Sequence, residues 1–188
     1  KYYEALIDGL LKSSNITIHY ITSDPDDAVF ELAKTQPRIR PYYIGLKKLI
    51  PLMMRLDADM VAMTTPDLDT FYIKRSLVRK DAEYIYVPHD MMSIHMGFHK
   101  GALDHFDTVF ATGPHVEREI RSTERVYGLP EKTVVPFGYP LAEKLEAAYE
   151  HMDKTPHEKK EILIAPSWQE DNLLDSVIDL SLIHISEP

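Results

Sequence analysis

EYIYVPHDMMSIHMGFHKGALDHFDTVFATGPHVE, residues 83–117, decides how this chain folds. It holds two short apolar runs, YIYV at 84–87 and TVFA at 108–111, rich in aromatic and β-branched residues, which predict buried strands. Each run ends in a polar turn: Pro88-His89-Asp90 after the first, Gly113-Pro114-His115 after the second. Four of the nine histidines stand between Pro88 and Asp107. In open α/β sheets, ligands bind in the crevice beyond the carboxyl ends of the strands. A titratable group just past a strand therefore stands where chemistry is done, and His89 is such a group. Imidazole exchanges a proton near neutral pH, which suits a general base. The competing reading is a histidine satisfied by a backbone carbonyl.

Working outward, strand-like and helix-like patterns alternate. Residues 2–12 carry Tyr3, Leu6, Ile7, Leu10 and Leu11 at helical spacing. ITIHYIT (16–22) predicts a strand. Asp24-Pro25 predicts a cap opening a helix that reaches Lys34. RIRPYYIG (38–45) predicts a short strand. GLKKLIPLMMRL (45–56) predicts an apolar helix, kinked or shortened by Pro51, with Lys47, Lys48 and Arg55 toward one side. Either it packs on the sheet with its lysines in water, the preferred reading, or it is a basic amphipathic surface for anionic lipid headgroups. DMVAMTT (59–65) predicts a strand. Residues 66–82 predict a loop and short helix, whose Lys74, Arg75, Arg79 and Lys80 form a solvated face or an anion-binding patch. Residues 101–106 predict a short helix.

Gly113-Pro114 predicts the start of a long helix, with Glu117 pairing Arg121 and Gly128 closing it. TVVPFG (133–138) predicts a strand and 141–150 a helix. Residues 151–160 predict a linker, and EILIAP (161–166) a new strand. Six or seven strands separated by helices predict a Rossmann-like α/β domain over 1–150, built on one doubly wound parallel sheet.

Bulk properties narrow the function. The 188 residues are 44% hydrophobic and 27% charged, enough for a real core. A net charge of −9 argues against a general nucleic-acid binder. The absence of cysteine excludes disulfides and thiolate metal sites. No apolar run reaches the roughly 18–20 residues of a membrane span. The chain opens on Lys1 inside a helical pattern, so the native start is expected upstream. GxGxxG, GxxxxGK[ST], GxSxG and HExxH are all missing, which leaves the strand-end loops as the place for chemistry. His95, His99 and His105 with His89 and Asp90 give an alternative metal reading, although their spacing matches no compact motif. Ser167 and Trp168 offer a hydroxyl and an indole donor at a strand end.

Three segments in order carry a resemblance: YIYVPHDMMSIHMGFHKGALDHFDTVFATGPHVEREI (84–120), YGLPEKTVVPFGYP (127–140) and EILIAPSW (161–168). They resemble the CDP-glycerol glycerophosphotransferase family of Gram-positive teichoic acid synthesis, and the likeness runs to about Asp179. The resemblance implies the N-terminal, acceptor-side domain of a two-domain GT-B transferase, with a second, donor-binding domain that only begins at 161–179. It implies His89 as the catalytic base, in a loop where the family usually follows the histidine with glycine and this chain has Asp90. It implies CDP-glycerol as donor and a lipid-linked glycerol-phosphate or disaccharide acceptor. The setting it implies is the cytoplasmic, inner face of the plasma membrane, with the protein held peripherally. Ser167 matches a small hydroxyl residue near the donor phosphates, and the family's remaining donor contacts lie further on. The substrate-binding candidates are Asp90, Ser93, His95, Gly113, Gly138, Ser167 and Trp168; no metal or cofactor is expected. A nucleotide-sugar glycosyltransferase or epimerase of the same fold, and a non-enzymatic membrane-surface module, are the rival readings. LSLIHISEP (180–188) resembles translated sequencing adapter and is expected to be foreign to the native protein.

Overall fold

The aromatic and β-branched runs become short parallel strands. The computed structural model describes residues 2–152. Segments 161–179 and 180–188, Ser167, Trp168 and most of the expected linker lie outside the described residues. β3 (Met60–Met63), β4 (Glu83–Tyr86), β5 (Thr108–Ala111) and β6 (Thr133–Pro136) form one sheet in the order β3-β4-β5-β6. Every pairing in it is parallel: Ala62 faces Ile85, Tyr86 faces Val109, and Val109 faces Val134. β1 (Ile18–Thr22) and β2 (Ile39–Tyr43) pair in parallel as a second sheet. The expected α/β parallel architecture is present, but the six strands of the described residues make two sheets, not one.

Backbone direction explains why β2 ends its sheet. Ile44 donates its N–H to Thr22, and alternate residues along a strand point the same way. Arg40 and Tyr42 therefore turn their amides to β1, while Pro41 turns its nitrogen outward, where it has no hydrogen to give.

Each sheet has its own core. β1 and β2 pack Ile18, Tyr20 and Ile39 against Ile7 and Leu11 of α1 (Glu4–Ser13) and Val29, Phe30 and Ala33 of α2 (Val29–Thr35). The larger sheet buries Tyr84, Tyr86 and Val109 with Leu68, Leu103 and Phe106. Met53 from α3 (Leu46–Met54) and Val116 and Ile120 from α5 (Pro114–Tyr127) complete that core. Tyr84, Val87, Val109 and Leu68 are fully buried.

Several boundaries move for local reasons. α2 starts at Val29, not at Asp24-Pro25. Asp24 caps Asp26 and Asp27 caps Val29 through their carboxylates, so two side chain–backbone turns occupy the entry. α3 contains Pro51 and ends at Met54, two residues short of the expected Leu56. No helix forms over 66–82. Asp67 and Asp69 hold left-handed backbone at φ 68° and 58°, which breaks a helical run. Nor is 101–106 a helix; it is a series of turns in which Asp104 bonds Gly101 and Phe106 bonds Leu103. A four-residue helix, α4 (Ile94–Gly97), appears instead inside the histidine loop. α5 begins on Pro114 as expected, and Gly128 closes it at φ 64°. Arg121 does not hydrogen-bond Glu117. Its guanidinium takes the buried Glu124 at 2.9 and 3.1 Å and the Lys132 carbonyl at 3.0 Å, because a carboxylate shielded from water attracts it more strongly. α6 (Pro140–Glu150) follows β6, and its Lys144 reaches back to Glu4 at 2.7 Å.

Three of the four basic residues at 74–80 are spent on internal ties. Lys74 donates to the Asp69 carbonyl; Arg75 donates to the carbonyls of Ala82 and His105 and to Asp107, 4.4 Å above the Tyr84 ring. Arg79 binds Asp57, Asp59 and Asp81. These contacts leave the anion-patch reading without its arginines.

Candidate functional site around His89

β4 sets up the site by the way it stops. Val87 still donates to Met63 of β3, and Pro88 then has no N–H with which to continue the ladder. The chain leaves the sheet at His89, whose side chain is 39% exposed. Its Nδ1 lies 3.4 Å from the Tyr86 hydroxyl, and its Nε2 lies 3.7 Å from Asp90 Oδ2. The Tyr2 ring meets the imidazole edge-on at 6.1 Å. From the far side, Tyr139 donates its hydroxyl to the His89 carbonyl at 2.8 Å. The loops after β4 and β6 thus meet at one histidine.

The phenols around His89 stay protonated. Burial, aided by the negative charge of Asp90, pushes the Tyr86 hydroxyl far above its ordinary value of 10.0. Burial raises Tyr139 as well, with Tyr2 and Asp90 contributing. Each therefore serves as a neutral hydroxyl, able to donate and accept one hydrogen bond through the whole working pH range.

Asp90 fixes its own loop by accepting the Met92 N–H at 3.2 Å. It also borders a cavity of about 10 Å³ with Tyr86, Pro88 and Thr112. Thr112 Oγ1 is buried there without a hydrogen-bond partner among the described residues. Gly113 and Gly138 stand at the ends of β5 and β6. Gly113 is extended, and a β-carbon on it would come within 3.0 Å of His115 Nδ1, so glycine lets that ring lie against the backbone. Gly138 has φ 74° and requires glycine for that reason. Its N–H and that of Phe137 both donate to the Ala111 carbonyl, which draws the β6 turn onto the end of β5.

Ser93 and His95 belong to a different set of contacts. Ser93 Oγ donates to Glu119 Oε1 at 2.7 Å, the Ile94 N–H donates to Glu119 Oε2 at 2.6 Å, and His95 Nε2 meets Thr123 Oγ1 at 2.9 Å. Glu119 of α5 thereby takes the free amide at the start of α4, the task of an N-cap. Partial burial opposes its charge, but the hydrogen bonds from Ser93, Ile94 and His95 prevail and hold its carboxyl below the ordinary 4.5. A carboxyl depressed by folding stabilises above its unfolded value and loses that contribution as pH falls through the folded one. The tie is therefore complete at neutral pH and released in acid below 4.5. Glu119→Ala should cost about 1–3 kcal/mol at pH 7 by stranding the Ile94 amide. Urea unfolding at pH 7 and pH 3 checks both magnitude and sign, since the difference between wild type and variant should shrink in acid.

The remaining histidines separate. His99 Nε2 lies 2.6 Å from Asp67 Oδ1, near enough for an ion pair but off the line of a hydrogen bond. The His105 carbonyl accepts from Arg75. Among the described residues no three His, Asp or Glu side chains gather as metal ligands. His95 borders a larger cavity of about 340 Å³ between α5 and the 98–104 turns, which His89 does not line. Lys132 also lines it; burial lowers its pKa, and its ammonium donates to the Asp104 and Phe106 carbonyls.

The sequence reading passed over Tyr86 and Tyr139. Tyr86 was legible as the inward residue of YIYV three places before His89, and Tyr139 as the tyrosine of the GYP turn. Glu119 gave no local signal, since its partners lie 25 and 26 residues away. Chemically, the arrangement offers a half-exposed imidazole, a neutral phenol on one of its nitrogens and a carboxylate near the other, which equips it for proton transfer. No family model, no curated protein and no solved structure matches the chain.

Proposed function

We propose that this chain supplies the acceptor-side domain of a CDP-glycerol glycerophosphotransferase, with His89 as general base. The observation that carries the reading is the motif histidine itself, which leaves the sheet at the carboxyl end of β4 with an exposed imidazole. The acceptor glycerol hydroxyl gives its proton to His89. Its oxygen bonds to the β-phosphorus of CDP-glycerol, the bond from that phosphorus to the bridging oxygen breaks, and CMP leaves with the electron pair. Such a transfer depends on positioning and charge stabilisation more than on covalent help from the protein. In this reading the family's donor-phosphate contacts come from a second domain. The test is product formation by the two-domain parent: CDP-glycerol with a lipid-linked glycerol-phosphate acceptor should yield CMP, and UDP-sugars should yield no UDP. Release of UDP in place of CMP would favour the nucleotide-sugar reading.

A peripheral seat on the membrane fits one surface. Among the described residues no helix is long and apolar enough to cross a membrane. At α3, Leu49 and Met53 face the core, while Leu46 is 74% exposed beside Lys47 and Lys48, with Ile50 one turn on and Tyr43 just before. Apolar tips flanked by lysines suit an anionic lipid surface. Lys47→Glu with Lys48→Glu should lower flotation with phosphatidylglycerol vesicles about tenfold or more, at roughly 1 kcal/mol per lysine removed. Unchanged flotation would detach α3 from the membrane.

A further inference from the structure

We propose that Tyr86 is a positioning residue for His89: its phenol oxygen accepts the Nδ1 proton of the imidazole and so keeps the Nε2 lone pair at the exposed edge. This deepens the transfer reading and rests on His89 as its base. A base must present a lone pair, and neutral imidazole has one, on whichever nitrogen lacks the proton. The Nδ1 side of His89 lies against Tyr86, which is 3% exposed, so the reacting edge is the Nε2 side. Nδ1 must then hold the proton, and Tyr86 Oη is the hydrogen-bonding group set beside it.

Tyr86 is built to stay still. It lies in β4 opposite Met63 and Val109, and its ring is held edge-on by Phe98 at 5.8 Å and Phe106 at 5.5 Å. The Tyr139 hydroxyl fixes the His89 carbonyl, so backbone and ring are restrained from two strands' ends. The 3.4 Å separation is long, as contacts of catalytic bases often are before substrate binds. On the other edge, Asp90 Oδ2 at 3.7 Å is too far to take a hydrogen bond from Nε2, yet near enough to balance an imidazolium once the proton arrives.

Long-range proton–nitrogen spectra of the full 188-residue chain, with His89→Ala to identify the signals, read the tautomer directly. Wild type should carry the His89 proton on Nδ1, and Tyr86→Phe should move it largely to Nε2. A wild-type proton on Nε2, or the same tautomer in both proteins, overturns the proposal. In the two-domain parent, Tyr86→Phe should lower kcat for CMP release about tenfold with both KM values within twofold, since a misplaced base slows the chemical step without weakening binding. An unchanged kcat also overturns it. The retained ring between Phe98 and Phe106 should hold the melting temperature, which separates positioning from stability. A wild-type parent that releases no CMP removes the transfer reading alone, because the tautomer measurement still decides what Tyr86 does.

Discussion

If His89 is the base proposed above, His89→Ala should abolish CMP release by a two-domain parent and leave its thermal unfolding where it was. The expected loss is at least 10²- to 10⁴-fold, the usual worth of a positioned general base. Nothing in the fold depends on the ring to a comparable degree. It is 39% exposed, its contacts with Tyr86, Asp90 and the Tyr2 ring are all long, and the tie to Tyr139 runs through the backbone carbonyl, which alanine keeps. A stability change of about 0.5 kcal/mol or less is expected for so open a side chain. Activity within twofold of wild type, with unaltered unfolding, would remove His89 as the base.

The largest effect on stability belongs to Tyr84. Its side chain is fully buried at the centre of the larger core, with the Arg75 guanidinium 4.4 Å from the ring. Its hydroxyl accepts the Ser76 N–H at 2.8 Å, and its own N–H donates to Asp107, which also binds Arg75. The ring therefore joins the core to the irregular 66–82 segment. Tyr84→Ala should cost about 3–5 kcal/mol, the range for removing a buried aromatic. Tyr84→Phe keeps the packing but strands the buried Ser76 amide, and should cost about 1–3 kcal/mol. Urea titration of both variants measures this. Equal losses would mean that the hydroxyl carries the whole effect and the ring none.

How much of this was legible beforehand follows from the range of the forces involved. YIYV and TVFA announced themselves because burial on both faces demands apolar, branched or aromatic residues in a row. Pro114 and Gly128 marked the ends of α5 because one lacks an amide and the other tolerates left-handed backbone. The loop expected over 66–82 is there but its short helix is not, because the segment's order comes from single side chains that reach far along the chain, such as Arg75 to Asp107 and Ser76 to Leu56. Such ties leave no period to detect. The same holds for the loop after β4. His89 could be singled out by its place after a strand, whereas nothing local in the sequence shows that Ser93 and His95, expected to bind substrate, have Glu119 and Thr123 beside them.

Pro41 has a consequence between molecules as well as within one. The outer side of β2 is a sheet edge, and an edge with its amides free templates a strand from another chain, the first step of aggregation. Along that side, Ile39 spends its N–H on the Gln36 carbonyl and Pro41 has none. Only Tyr43 is left to greet an incoming strand, and a single amide cannot hold one in register. A proline in mid-strand thus takes away one of the amides that a strand from another copy would need along the β2 edge.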